Sequence, residues 1–153
     1  MNITAMYFSG TGTTKKVTAA IADELTESKI SQDETAAGEN PGSIKAGIKP
    51  WQRAADVDFT PPAARREIYR FTPDDLVVFG VPVIAGRVPN VLLKFLDTLQ
   101  GGGALAVPVV LYGNRNFDDA LIELRNILQD RGFYAIGAAA FIGEHSFSRI
   151  LAA

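Results

Sequence analysis

The chain has 153 residues, of which 47% are hydrophobic, so it is long enough for one domain with a sizeable buried core. Its formal net charge of −2 and its lack of a basic run give no indication of nucleic-acid binding. No apolar segment approaches the roughly 20 residues of a membrane span, and the N-terminus lacks a signal-peptide pattern, so we expect a cytoplasmic protein.

Five apolar runs alternate with helical patterns, which is typical of a parallel sheet covered by helices on both faces. The runs are residues 3–8, 57–60, 76–81, 107–112 and 135–142. Because proline cannot donate a hydrogen bond in a central ladder, Pro108 predicts that the fourth strand begins at Val109.

Three helices are predicted from apolar residues at helical spacing. The first helix follows a loop at residues 9–14, and the second lies behind Pro89. The third follows the capping pair Asp118 and Asp119 and ends near Gly132. We therefore expect a single α/β domain spanning residues 1–153.

Two stretches depart from this regular plan. Residues 28–55 are polar and interrupted by glycine and proline, which predicts an inserted loop. After the fifth strand, residues 144–153 leave room only for a short last helix or for none. With right-handed crossovers, that helix would share a sheet face with the first helix. We expect the insert, a partner such as a second copy of this chain, or further residues beyond 153 to cover this face.

The loop after the first strand consists almost entirely of glycine and hydroxyl side chains. It comprises Ser9, Gly10, Thr11, Gly12, Thr13 and Thr14. Hydroxyls, close backbone amides and the N-terminus of the following helix suit a bound phosphate. The loop lacks the lysine of the nucleoside triphosphate loop and the third glycine of the dinucleotide fingerprint. It therefore indicates a monophosphate group held by neutral donors, the alternative being a helix-capping turn.

Two further loops follow the third and fourth strands, where doubly wound sheets bind ligands. The first contains Pro82, Val83, Ile84, Ala85, Gly86 and Arg87, and the second contains Tyr112, Gly113, Asn114, Arg115, Phe117 and Asp118. The chain has no cysteine and one histidine, so redox chemistry here would require a bound organic cofactor.

Three motifs resemble those of known flavoproteins. The run Ser-x-Thr-Gly-x-Thr resembles the phosphate-loop signature of flavodoxins. The runs Gly-Val-Pro-Val-x-Ala-Gly-Arg-Val-Pro and Tyr-Gly-Asn-Arg are similar to the flavodoxin-like domain that precedes a ferredoxin domain in bacterial and archaeal iron–sulfur flavoproteins. The resemblance covers most of the chain except the insert. It implies a flavodoxin-like, doubly wound, five-stranded parallel sheet in the order 2-1-3-4-5, with FMN as the cofactor.

The resemblance also assigns roles to individual residues. Ala85 and Gly86 would place a backbone group against the flavin N5, where glycine permits a peptide flip. Asn114 would bond the pyrimidine edge of the ring, and Phe117 or Ile84 would cover its faces. The alternative for these residues is an ordinary strand-to-helix turn.

Three charged or titratable residues are candidates for a role beside the ring. Arg87 and Arg115 separate this chain from the common acidic flavodoxins, which surround the flavin with carboxylates. They would favour an anionic reduced flavin or bind an anionic donor such as NAD(P)H, unless they point to solvent. His145, after the fifth strand, is a candidate proton donor, the alternative being a structural histidine.

The predicted function is FMN-dependent electron transfer, with a separate ferredoxin as one candidate partner. A second hypothesis is an FMN-dependent oxidoreductase that reacts with NAD(P)H. A third is a binding or assembly module that keeps the fold without a flavin.

Overall fold

The computed structural model describes residues 1–39, 51–113 and 119–142, and for residues 29–39 it describes the backbone alone. The described residues form an α/β structure of seven short strands and three helices. In chain order these are β1 (Asn2–Tyr7), α1 (Thr13–Glu39), β2 (Gln52–Arg53), β3 (Val57–Asp58), β4 (Asp75–Pro82), α2 (Leu93–Leu96), β5 (Leu105–Tyr112), α3 (Ala120–Asp130), β6 (Tyr134–Ala135) and β7 (Ala139–Ile142).

All strand pairs in the sheet are parallel. β2 and β3 both pair with β1, and β6 and β7 both pair with β5, so each edge position is shared by two short strands. The central pairs are β1 with β4 and β4 with β5. If β2 and β3 are counted as one strand, and β6 and β7 as another, the sheet has five strands in the order 2-1-3-4-5. This order confirms the predicted fold class.

The sheet is buried on both faces, as its continuous apolar strands predict. One face packs Val77, Phe79 and Val110 in a core that includes residues of α2 and α3. The other face packs Ile3, Val78 and residues of α1. The second predicted helix is shorter than expected, because the chain forms a 3₁₀ turn at Asn90–Leu92 before the single turn of α2.

Pro108 lies inside β5, so the prediction that this strand begins at Val109 is wrong. The carbonyls of Ala104 and Ala106 accept hydrogen bonds from the amides of Tyr134 and Ile136. The backbone N–H and C=O groups of even-numbered residues in β5 therefore point toward the strand pair β6 and β7. The backbone nitrogen of Pro108, which carries no hydrogen to donate, therefore faces the break between β6 and β7. A proline is tolerated where the ladder is already interrupted.

The first helix extends further than the sequence predicts. The chain is helical through Glu39, although an inserted loop was expected from residue 28. After Gly12 the first glycine or proline is Gly38, so no strong helix breaker interrupts this stretch. β2 also forms within the expected insert, at Gln52–Arg53. Residues 40–50 of the insert lie outside the described part of the chain.

Apolar side chains are exposed at the β6 and β7 edge of the sheet. Tyr134, Ile136 and Phe141 are 65%, 56% and 39% exposed. The register pairs Tyr134 with Leu105 and Phe141 with Leu111, which places both on the face that α1 covers further along the sheet. A full last helix would share this face with α1, but only a short one or none was expected, and residues 143–153 lie outside the described ranges. No helix in the described ranges is both long and apolar enough to cross a membrane.

Candidate functional site

Three loops leave the sheet at its carboxyl edge. Tyr7 at the end of β1 is in register with Gly80 of β4, and Pro82 is in register with Leu111 of β5. The chain leaves β1 toward one edge of the sheet and later continues from β4 toward the other. The boundary between β1 and β4 is therefore the switch point at which doubly wound sheets bind ligands.

The loop between β1 and α1 is held by hydrogen bonds at both ends. The amide of Ser9 donates to Oγ1 of Thr60 at 2.8 Å. The amide of Lys15 donates to Oγ of Ser9 at 3.1 Å, so the Ser9 hydroxyl caps the first turn of α1 across the loop. Gly12 has a φ of +91°, a conformation that favours glycine.

Between these anchors the loop presents unused backbone donors. Among the described residues no hydrogen-bond partner is found for the amides of Gly10, Thr11 and Gly12. A Cβ atom built on Gly10 or Gly12 would meet no atom within 4 Å. Thr14, in contrast, is only 5% exposed and directs its methyl group toward Gly80. The open amides and the free space above them fit a phosphate group.

Two lysines add positive charge beside this loop. The first turn of α1 contains no acidic residue, and Lys15 and Lys16 are exposed there. Lysine at a helix N-terminus opposes the helix dipole unless an anion is bound nearby. The loop motif predicted only neutral donors. The position of the two lysines immediately after the threonine pair is the sequence signal for this added charge.

The segment after β3 contributes two residues, Thr60 and Arg65, that hold the start of the loop. Nη1 of Arg65 donates to the carbonyls of Phe59 and Thr60 at 2.9 and 2.6 Å, and its guanidinium lies 5.5 Å from the centre of the Phe8 ring. Arg65 therefore fixes the backbone of Thr60, whose hydroxyl in turn binds the amide of Ser9. No local motif marks Thr60 or Arg65, so sequence reasoning missed both residues.

A polar cluster fastens the edge of the sheet near the same loop. The hydroxyl of Tyr7 donates to Asp56 at 3.1 Å, and Arg53 binds both Asp56 and Asp23 of α1. Burial and the hydrogen bond to Asp56 raise the pKa of Tyr7 to about 12. Tyr7 is therefore neutral at physiological pH and acts here as a hydrogen-bond donor.

The loop after β4 forms a tight turn. Ile84 and Arg87 exchange two backbone hydrogen bonds of 2.9 and 3.0 Å, so Ala85 and Gly86 occupy the tip. Their φ angles are +53° and +76°, and positive φ at both central residues defines a type I′ turn. Ile84 and Ala85 are exposed and Gly86 is half-buried, and Ile84 presents an apolar side chain that is 56% exposed.

Glu123 of α3 holds the far end of this turn. Its two carboxylate oxygens accept hydrogen bonds from Nη2 of Arg87 and, at 2.8 Å, from the amide of Val88. Burial opposes ionisation of Glu123, but these hydrogen bonds outweigh it and hold the pKa of Glu123 below its usual value. The hydrogen bond to Glu123 likewise raises the pKa of Arg87. Arg87 was predicted beside the ring, and its charge is matched here by Glu123.

The third loop is described only at its start. Tyr112 ends β5, and Gly113 is exposed, with no atom within 4 Å of a Cβ built on it. The remaining predicted residues, Asn114, Arg115, Phe117, Asp118 and His145, lie outside the described ranges. Asp119, predicted to cap α3, makes no side-chain capping hydrogen bond.

Solved structures of known proteins match this chain in fold and not in sequence. No protein-family model and no curated protein matches this chain. A flavodoxin from the domain Archaea aligns with a TM-score of 0.59 and 15% identity, over 96% of this chain and 87% of its own. The Flv1 flavodiiron core from Synechocystis sp. PCC6803 aligns with a TM-score of 0.50 and 15% identity, over 97% of this chain and 32% of its own. At such identities the likeness establishes the fold alone, so the chain has a flavodoxin-like α/β fold.

Proposed function

We propose that this protein binds FMN at the carboxyl edge of its sheet and transfers electrons through the flavin. The observation that carries the proposal is the loop at residues 9–14, whose open amides lie at the switch point of a flavodoxin-like sheet. The motif resemblance to the flavodoxin-like domain of iron–sulfur flavoproteins supports the same cofactor. FMN, when bound, supplies the capacity to take up and release electrons.

The phosphate end of the nucleotide would be bound by the first loop. The amides of Gly10, Thr11 and Gly12 would donate to the phosphate oxygens, and Lys15 and Lys16 would balance its charge. This arrangement positions a monophosphate without a metal ligand or a catalytic lysine, which suits cofactor binding better than phosphoryl transfer.

The ring end would be bound by the two later loops. The turn at residues 84–87 offers an apolar contact from Ile84 and backbone groups from Ala85 and Gly86. Tyr112, Gly113 and the residues that follow would line the other side, as the sequence resemblance implies. Electrons would then pass to or from a separate ferredoxin or NAD(P)H at the exposed edge of the ring.

The experiment is a titration of the flavin-free protein with FMN and, in parallel, with riboflavin, followed by flavin fluorescence. Riboflavin has the same ring and ribityl chain but no phosphate. We expect FMN to bind at least tenfold more tightly, because charged hydrogen bonds of this kind contribute about 1.5–3 kcal/mol. Failure to bind FMN would contradict the proposal and favour the flavin-free module.

Addition of NAD(P)H to the FMN-loaded protein separates the two redox alternatives. Rapid bleaching of the flavin absorbance would indicate an oxidoreductase that uses the nicotinamide directly. A flavin that is reduced by a ferredoxin and not by NAD(P)H would indicate an electron carrier.

A further inference from the structure

Glu123 is a partly buried carboxylate that lies outside the predicted site and yet binds one of its loops. It is located in the first turn of α3, and its side chain is 18% exposed, whereas that of its partner Arg87 is 65% exposed. A carboxylate loses hydration at such a position, and this loss must be offset by hydrogen bonds. Both of its oxygens are used, one by Arg87 and one by the amide of Val88.

The hydrogen bonds of Glu123 complete a two-sided anchorage of the turn at residues 84–87. On the near side, the amide of Val83 donates to the carbonyl of Leu111 in β5 at 2.7 Å. On the far side, Glu123 binds Arg87 and Val88, and Val88 itself is 2% exposed. Ile84, Ala85 and Gly86 lie between the two anchors. The position of the tip is therefore set by β5 on one side and by α3 on the other.

We propose that Glu123 is a positioning residue that fixes the tip of this turn, Ala85 and Gly86, against the ring of the bound flavin. The inference rests on the proposed function, because it requires the turn to contact the ring. Glu123 acts through Arg87 and Val88 and does not touch the cofactor. The ionised carboxylate is the form that accepts both hydrogen bonds, and these bonds lower the pKa of Glu123.

The test compares Glu123→Ala and Glu123→Gln with the wild-type protein. Asp130→Asn is the matched control, because it removes an exposed carboxylate from the same helix without touching the turn. Three quantities are measured: the dissociation constants for FMN and riboflavin, the midpoint potential of the flavin, and hydrogen exchange of the Val88 amide in the flavin-free protein.

Glu123→Ala is expected to weaken FMN and riboflavin binding by a similar factor, about tenfold, since the charged hydrogen bonds it removes act on the ring contact and not on the phosphate. The ratio of the two dissociation constants then stays unchanged. The midpoint potential shifts, and the Val88 amide exchanges faster. Glu123→Gln keeps an acceptor for Val88 and is expected to show intermediate values, while Asp130→Asn matches the wild type.

A purely structural role would lower the thermal stability of Glu123→Ala and leave flavin affinity and midpoint potential unchanged, which would overturn the inference. Loss of FMN affinity alone, with riboflavin unaffected, would also overturn it. If Glu123→Ala does not fold, Glu123→Gln and Arg87→Ala give the same comparison. A wild-type protein that binds neither flavin would instead contradict the proposed function, and the positioning role with it.

Discussion

Ser9 and Thr60 are joined by a hydrogen bond of 2.8 Å from the Ser9 amide to Oγ1 of Thr60, across 51 positions of sequence. The bond connects the loop after β1 to the segment after β3, on the opposite side of the first strand from β4. It uses the first amide of the loop, so the remaining open donors begin at Gly10. The protein therefore fixes the entrance of the candidate phosphate loop with one of its own hydroxyls.

Replacement of Thr60 by valine is expected to weaken FMN binding. The Ser9 amide would lose its acceptor, and the loop would lose its outer anchor. The lost hydrogen bond is worth about 1 kcal/mol, or roughly a fivefold rise in the dissociation constant. Thr60→Ser keeps the hydroxyl and is the matched control. Fluorescence titration checks both variants, and equal affinities for valine and serine would show that the bond does not position the loop.

Removal of the lysine charges beside the loop should act on the phosphate alone. Lys15→Gln and Lys16→Gln are each expected to raise the dissociation constant for FMN about two- to fivefold, as is typical of exposed charges at a helix terminus. The effect should shrink as salt is added, because exposed charges are screened.

Riboflavin provides the control for the lysine variants, since its affinity should not change. Lys94→Gln, at an exposed position in α2, is the matched control for the loss of one positive charge. A comparable loss of riboflavin affinity in the Lys15 or Lys16 variant would contradict the assignment of this loop to the phosphate.

The order of Ala85 and Gly86 is expected to resist a redox-linked peptide flip. Flipping the peptide between the central residues of a type I′ turn gives a type II′ turn, which requires glycine at the first central position. Here that position is Ala85, at a φ of +53°. The sequence predicted a flip from the conformational freedom of Gly86. That freedom does not remove the strain at Ala85.

Ala85→Gly should therefore permit the flip. We expect the amide resonance of Gly86 to change little between oxidised and reduced wild-type protein and to change strongly in the Ala85→Gly variant. The midpoint potential of the variant should shift at the same time. A large redox-dependent change at Gly86 in the wild type would show that alanine does not restrain the turn.

Acidic pH should loosen the tie between α3 and the turn. The pKa of Glu123 is lower in the folded protein than in the unfolded chain, so its ionised form contributes stability above the unfolded pKa of about 4.5, and this is lost as the pH falls through the folded value. The free energy of unfolding of the wild type should therefore approach that of Glu123→Gln below this range. Parallel curves for the two proteins at all pH values would contradict this.

Thr18 and Thr26 allow a matched test of buried hydroxyls in α1. Oγ1 of Thr18 is buried and has no hydrogen-bond partner among the residues that the structure describes, whereas Oγ1 of Thr26 donates to the carbonyl of Ala22 at 2.8 Å. Thr18→Val should be neutral or stabilising by up to about 1 kcal/mol, and Thr26→Val should be destabilising by about the same amount. Urea unfolding measures both, and the reverse order would contradict the assigned contacts.

Local sequence signals predicted the parts of the site that depend on local conformation. The small residues at 9–14 and the alanine–glycine pair at 85–86 mark their turns directly. The apolar runs located the strands, and the resemblance to flavodoxins implied their correct order. Thr60 and Glu123 were missed because their partners are 51 and 35 positions away, and neither belongs to a motif.

The two wrong boundaries have different causes, one tertiary and one local. Pro108 was taken as a strand limit, but it faces a break in the neighbouring edge strand that the sequence does not reveal. The polar stretch after residue 28 lacks a helix breaker before Gly38 and continues α1. We predict that the exposed face around Ile136 and Phe141 is covered, and a second copy of this chain is one candidate.

The central claim is that the amides of the loop at residues 9–14 bind the phosphate of FMN. Amide resonances of ¹⁵N-labelled protein, recorded with FMN and with riboflavin, test it most directly. We predict large downfield shifts at Gly10, Thr11 and Gly12 with FMN and small shifts with riboflavin. Unchanged resonances at these three amides in the presence of saturating FMN would contradict the account.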